Sequence, residues 1–370
     1  MAINILSLNE IRSALSKEGD PWEAGATSMS SLLPDEQQLR LGVKPPPGEP
    51  NIAEFAQRAK QAKAEIKAQA LMAVGVPAAY DLRNVDGKNF ITPIADQGSC
   101  GSCVAFGAAA AVEGRLRVQR GDPNLAVNLS EAHLFFCHAR ARGANCDTGW
   151  WPQEAFEDIK TKGIVDEACY PYNLSNRDCS GLCANANERL LKITGFTALT
   201  NKPADIKQWI VEKGPVSACF VVYQDFFSYR SGIYRHVSGE QAGGHCVTII
   251  GYNDNPGYWI CKNSWGPAWG DNGYFNIAYG ECGIDSWLNH GVDGIENTGW
   301  QSNKRVIGLW TINQERNAWV YFESLGWRKI ASESDVVFFD MLSQLIAAKA
   351  AARPVNFYEE NSVIRQAYVF

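Results

Sequence analysis

The run Asp96-Gln97-Gly98-Ser99-Cys100-Gly101-Ser102-Cys103 passes without a break into Val104-Ala105-Phe106-Gly107-Ala108-Ala109-Ala110-Ala111-Val112-Glu113, and it constrains the fold more tightly than any other stretch. Two glycines and two serines make a tight loop, and the alanine-rich run predicts a helix that continues to Arg120 and stops at Gly121. Cys103 then sits at a helix N-terminus, where unpaired backbone N–H groups and the positive end of the dipole stabilise a thiolate. A free thiol near its ordinary pKa is only a few per cent ionised at neutral pH, so this placement turns an inert group into a nucleophile.

A nucleophilic cysteine needs a base, and the chain has five histidines. His245 follows Gly243-Gly244 and opens the apolar run 246–252, so its ring is expected at the exposed end of a buried strand. The next strand-like run ends in Lys262-Asn263-Ser264-Trp265-Gly266, and a hairpin partner of that kind brings Asn263 beside His245. A carboxamide there orients the imidazole without adding charge.

The surroundings divide into three parts. Residues 1–76 begin with a stretch punctuated by Pro21, Pro34, Pro45, Pro46, Pro47 and Pro50, where no long helix or sheet is expected. A helix follows over about 52–72, opened by Asn51 and Glu54 as a capping box. Residues 77–295 place helix before antiparallel strands (245–252, 258–263, 273–279), which implies an α+β fold with two sub-lobes rather than a doubly wound sheet. Residues 296–370 read as a small ββ(β)αββ module. Its aromatic residues Trp300, Trp310, Trp319, Trp327, Phe338, Phe339 and Tyr358 are expected mainly to form its core.

A net charge of −6, with no dense Lys/Arg block, removes the footprint that nucleic acid or an acidic membrane surface requires. No stretch is apolar for long enough to predict a membrane span, and the first ten residues carry no basic region of a secretory signal.

On the motifs 97–103, Gly244-His245 before 247–252, and 262–266, the chain resembles the papain family of cysteine peptidases. The resemblance covers about 77–295 and implies the two-lobed papain-like fold, a helical lobe plus an antiparallel β lobe. It implies an endopeptidase acting on polypeptides, with Cys103 as nucleophile, His245 as acid/base and Asn263 orienting His245 under the cover of Trp265. Gln97, with the backbone N–H of Cys103, would form the oxyanion hole, each such donor lowering the barrier by roughly 3 to 4 kcal/mol. Gly149 would bind substrate backbone, Gly244 would also bind substrate, and Trp287 would lie at the floor of the main specificity pocket, where an indole leaves room for small or medium apolar side chains. No cofactor or metal is implied.

The resemblance also implies disulfides Cys100–Cys146 and Cys137–Cys179. Cys169 and Cys183 are extra and are candidates to pair with each other, and Cys282 lacks its usual partner because Gly239 stands in that place. Such disulfides point toward an oxidising compartment, which fits export better than a cytoplasm. Finally, the resemblance implies a zymogen whose segment 1–76 is its own intramolecular inhibitor, with either flank of the 52–72 helix crossing the cleft. Three other readings stand beside hydrolysis: acyl transfer to an amine by the same dyad, a thiol redox or zinc site built from Cys100 and Cys103, and a non-catalytic binding protein.

Overall fold

A computed structural model describes residues 6–175, 177–296, 299–323, 325–360 and 362–369. They form two units, Met1–Gly294 and Ile295–Phe370.

In the first unit the chain opens with helix α1, Leu8–Lys17, strand β1, Trp22–Ala24, and the short helix α2, Pro34–Gln38. The expectation that 1–50 holds no long helix or sheet is therefore corrected. All six prolines lie after α1. Ser7 and Glu10 close a capping box, and Ile11 and Leu15, one turn apart, are buried. Strand β1 is short but pairs with a core strand, and Trp22 packs against Tyr234 with ring centres 5.4 Å apart. Helix α3, Ile52–Leu71, starts at the expected Asn51–Glu54 capping box.

Then come β2, Ala79–Asp81, and the central helix α4, Cys103–Arg120, which ends on Gly121 in the left-handed conformation (φ 62°) that glycine adopts without strain. Helix α5, Pro152–Thr161, strand β3, Ile193–Ala198, and helix α6, Pro203–Glu212, lead into the strands β4, Val216–Tyr223, β5, Tyr229–Tyr234, β6, Gln241–Asn253, β7, Tyr258–Lys262, β8, Tyr274–Ala278, and β9, Leu288–Ile295. The sheet order is β1-β5-β8-β7-β6-β4-β9-β3, with β2 on the far part of β6. Helices therefore lie before a mainly antiparallel sheet, the α+β arrangement of a papain-like fold. Trp259, Trp265, Trp269, Tyr229, Tyr234 and Phe220 are fully buried in its core, and burial of each such ring contributes about 2 to 3 kcal/mol.

Three disulfides join Cys100–Cys146, Cys137–Cys179 and Cys169–Cys183, leaving Cys103, Cys219, Cys246, Cys261 and Cys282 as buried thiols. No helix among the described residues is long and apolar enough to cross a membrane.

The second unit contains β10, Gly299–Thr311, β11, Ala318–Phe322, β12, Gly326–Ile330, helix α7, Asp335–Ala350, β13, Pro354–Glu360, and β14, Val363–Val369. The strands close into a barrel in the order β10-β11-β12-β14-β13, with β12 and β14 parallel. Its core is Val306, Val320, Phe322, Ile330, Phe338, Leu345, Val355, Phe357 and Ile364. The expectation that the aromatic residues mostly supply this core is corrected: Trp310 and Trp327 are exposed and Trp319 is half-buried, because alternation along each strand turns them to the outer face, and Phe339 is exposed on α7. The side chain of Trp300 lies outside the described residues.

Candidate active site

Cys103 is the first residue of α4, and the preceding loop is locked before the helix begins. Cys100 is tied to Cys146, and the Ser102 hydroxyl is paired with the Tyr172 hydroxyl at 2.7 Å. The Tyr172 hydroxyl in turn donates to the Gln97 carbonyl at 2.8 Å. With Cys100 oxidised to Cys146, the redox or zinc reading of Cys100 with Cys103 loses its second thiol.

Gln97 is fully buried and its amide orientation is determined by its partners. Its Oε1 accepts from the Ser264 hydroxyl at 2.7 Å, which turns Nε2 toward the Cys100 carbonyl at 2.8 Å.

His245 lies on β6 opposite Phe220 of β4. It was expected at an exposed strand end, but β6 begins four residues earlier and the ring is fully buried. Its Nε2 pairs with Asn263 Oδ1 at 2.7 Å, and the Trp265 indole stacks on it at 4.6 Å. With Nε2 donating to an amide oxygen, the neutral ring keeps its lone pair on Nδ1, which has no partner among the described residues. Asn263 is itself anchored: its neighbour Lys262 donates to Thr92 Oγ1 at 2.8 Å, and that hydroxyl donates to Glu113 Oε2 of α4 at 2.5 Å. This chain pins the end of β7 to the helix that carries the nucleophile.

The residue after His245, Cys246, turns its backbone N–H toward the Cys103 sulfur, as do Gly42 and Val104. Burial pushes the Cys103 thiol up strongly, the neighbouring Cys246 adds to this, and those three N–H groups oppose it. Burial pushes His245 down to about 4, against the Asn263 hydrogen bond and together with the nearby charge of Arg40. In this covered state, both groups are held toward their neutral forms.

The cover is residues 38–44. Gln38 Nε2 donates to the Ala242 carbonyl at 2.7 Å, the Val43 N–H to the Gly244 carbonyl at 3.1 Å, and the Trp150 N–H to the Gly42 carbonyl at 2.8 Å. Gln97 Nε2 also donates to the Arg40 carbonyl at 3.1 Å, and the Arg40 side chain pairs with Asp96. The flank before α3 is thus the one that lies along this site. Gly149, expected to bind substrate backbone, lies against the strap, where a Cβ would stand 2.2 Å from the Gly42 carbonyl oxygen, and the backbone hydrogen bonds to the strap here are made by Trp150.

Trp287 is buried, with its Cη2 2.7 Å from where a Cβ on Gly244 would stand, beside Val43. The Phe55 ring of α3 packs on it at 4.8 Å. Helix α3 is held there by Lys63 against Glu281 and, at its C-terminal end, by the buried Lys207, which donates to the Ala70 carbonyl and to Asp254.

Sequence reasoning missed Tyr172, Ser264, the Lys262–Thr92–Glu113 chain, and residues 40–43. Only the proline-rich punctuation around 40–50 hinted at an extended strap.

The family described as papain family cysteine protease matches residues 76–291. A cathepsin B-like CP3 of Giardia intestinalis is 34% identical over 238 residues, 61% of this chain and 78% of that protein. A gut-specific cysteine proteinase of Caenorhabditis elegans is 33% identical over 252 residues, 60% and 76% of the two chains. Among solved structures, proCathepsin B S9 from Trypanosoma congolense is similar with a TM-score of 0.61 and 26% identity, over 78% of this chain and 98% of that one. Recombinant stem bromelain precursor follows at 0.58 and 27%, over 77% and 88%.

Proposed function

The chain belongs to the papain family of cysteine proteases, and from that premise we propose the following division of labour for a cysteine endopeptidase made as a zymogen. Cys103 passes its thiol proton to His245 and, as thiolate, attacks the carbonyl carbon of a peptide bond. The oxygen that gains charge is held by Gln97 Nε2 and the Cys103 N–H. His245, oriented by Asn263, delivers a proton to the leaving amine, and a thioester remains on Cys103. His245 then takes a proton from water, which attacks the thioester, releases the carboxylate product and restores the thiol. The observation that carries this reading most is the 2.7 Å His245–Asn263 bond, which leaves Nδ1 as the ring's basic nitrogen.

Residues 1–76 act as the intramolecular inhibitor, and the direction of the strap explains why it survives. A substrate that places a carbonyl at Gln97 puts the residues before that carbonyl toward the Trp287 pocket. In the strap, the Arg40 carbonyl is at Gln97, and the residues after it, Gly42 and Val43, run toward Gly244 and Trp287. The strap therefore lies in the opposite sense to a cleavable peptide. Phe55 and Val43 block the pocket wall formed by Trp287, which favours small or medium apolar substrate residues.

The deciding experiment measures hydrolysis of a fluorogenic peptide by protein starting near Pro77, with and without Cys103→Ala. Loss of activity in the variant is expected, and full activity overturns the mechanism. Full-length protein as active as the shortened form, with no inhibition by the isolated 1–76 peptide, overturns the zymogen reading. A product that carries an added amine rather than water favours acyl transfer.

A further inference from the structure

The second unit carries a feature that peptide hydrolysis leaves unused. Its five-stranded barrel, with the helix between the third and fourth strands and the third and fifth strands parallel, has the connectivity of the oligonucleotide- and oligosaccharide-binding barrels. Those barrels take ligands on the outer face of their second and third strands. The equivalent face here is β11 and β12, flanked by β10.

Cross-strand register places two rows of side chains on that face. Trp310, Trp319 and Lys329 stand opposite one another in the first row, and Gly308, Tyr321 and Trp327 in the second. The rows are two residues apart, about 7 Å along the strands. Trp310 and Trp327 are 47% and 45% exposed, a large apolar area to leave in water on so small a barrel. The platform is also pre-arranged. Trp319 Nε1 donates to Asn317 Oδ1 at 2.8 Å, and Asn317 Nδ2 donates to Gln314 Oε1 at 2.6 Å. Trp327 packs edge-on to Tyr321 at 5.1 Å and reaches across β11 to Gly308, where a Cβ would stand 3.5 Å from its Cη2. Fixed rings suit a ligand that presents flat faces.

Charge chooses between the two ligand classes such barrels serve. Residues 295–370 hold eight Lys/Arg and eight Asp/Glu, and the two rows contain a single cation, Lys329. A phosphate backbone requires a basic track that this face lacks. An uncharged sugar chain requires aromatic planes for its C–H faces and amide groups at the edge for its hydroxyls, which is the set present. We propose that the outer face of β10–β12 binds a neutral glycan chain through Trp310, Trp319 and Trp327. It would hold the peptidase on glycan-bearing material.

The test uses full-length protein carrying Cys103→Ala, so that self-cleavage does not intervene. Retention is measured on cellulose, chitin and mannan, on heparin, and on an immobilised single-stranded oligothymidine, each at low and high salt. Binding to at least one neutral polysaccharide, little changed by salt, is expected. It should fall roughly tenfold or more in Trp310→Ala/Trp327→Ala protein whose circular dichroism is unchanged. Absence of retention on all three neutral polysaccharides, or retention that ignores both substitutions, overturns the proposal. Salt-sensitive binding confined to oligothymidine or heparin assigns the face to an anionic polymer instead. Concentration-dependent dimerisation abolished by the same substitutions assigns it to a second copy of the chain.

Discussion

The Nε2 of Gln97 donates to the backbone carbonyl of Arg40 at 3.1 Å. The side chain proposed to hold the oxygen of a reacting peptide is therefore holding an oxygen of the protein's own N-terminal segment. The same group serves catalysis and inhibition, so each blocks the other.

Gly42 is the tightest point of the strap. A Cβ on it would stand 1.9 Å from the Gly101 carbonyl oxygen, which is backbone in a loop held by a disulfide and cannot yield. Gly42→Ala is expected to lift the strap and give full-length protein severalfold more activity on a small fluorogenic peptide, before any processing. Unchanged activity would mean that the strap does not close the site at this residue.

Gln97→Ala removes one oxyanion donor and leaves the dyad in place. In protein lacking residues 1–76, kcat should fall by about a hundred- to a thousandfold with KM changed little. An equal loss appearing only in KM would show that Gln97 binds substrate without stabilising the reacting oxygen.

Acidity should loosen the strap. With the site covered, His245 is pushed down to about 4, from an ordinary 6.5. Between these values the uncovered ring takes up a proton and the covered ring does not, so covering is strongest above about pH 6.5 and weakens as pH falls toward 4. The other groups around the ring are Asn263, Trp265, Phe220 and Arg40, and the Arg40 charge adds to the downward push on the covered ring. Inhibition of the shortened enzyme by the isolated 1–76 peptide should therefore weaken steadily from pH 7 to pH 4.5. A constant or tightening inhibition constant contradicts this linkage.

Lys207 is a buried cation on α6 that closes the end of α3, through the Ala70 carbonyl and Asp254, over the rings of Tyr279 and Tyr252. Lys207→Ala should cost the full-length protein about 3 kcal/mol, the lower end for a broken buried pair because Asp254 keeps some contact with water. Denaturant unfolding measures it, and a change below about 1 kcal/mol would make this contact incidental.

Helix α4 was readable to the residue. The glycine and serine loop, the alanine run and Gly121 are all local signals, and the backbone of each residue responds to its immediate neighbours. The same holds for the Asn51–Glu54 start of α3 and for the positions of the strands of the second unit. Helix α1 was missed although its capping box was present, because the prolines that follow it dominated the reading of the whole arm.

The candidate site was legible where it rests on motifs with their own chemistry, Cys103, His245, Asn263 and Gln97. The rest depended on residues far apart in the chain. Nothing in the order of residues indicates that the Arg40 carbonyl meets Gln97, that Trp150 rather than Gly149 makes the backbone bonds, or that Thr92 links Lys262 to Glu113. Nor does it show that the barrel's tryptophans face outward together, since that requires knowing which strands are neighbours.

By itself, then, the amino-acid sequence determined the helix that presents a thiol at its N-terminus, the capped start of α3 and the strands of the second unit, because each follows from contacts within a few residues. Tertiary structure alone decided that the thiol is covered, which flank covers it, in which direction it runs and which rings are left in water. Those depend on the closure of long loops, whose ends meet only when the whole unit packs and its buried polar groups find partners.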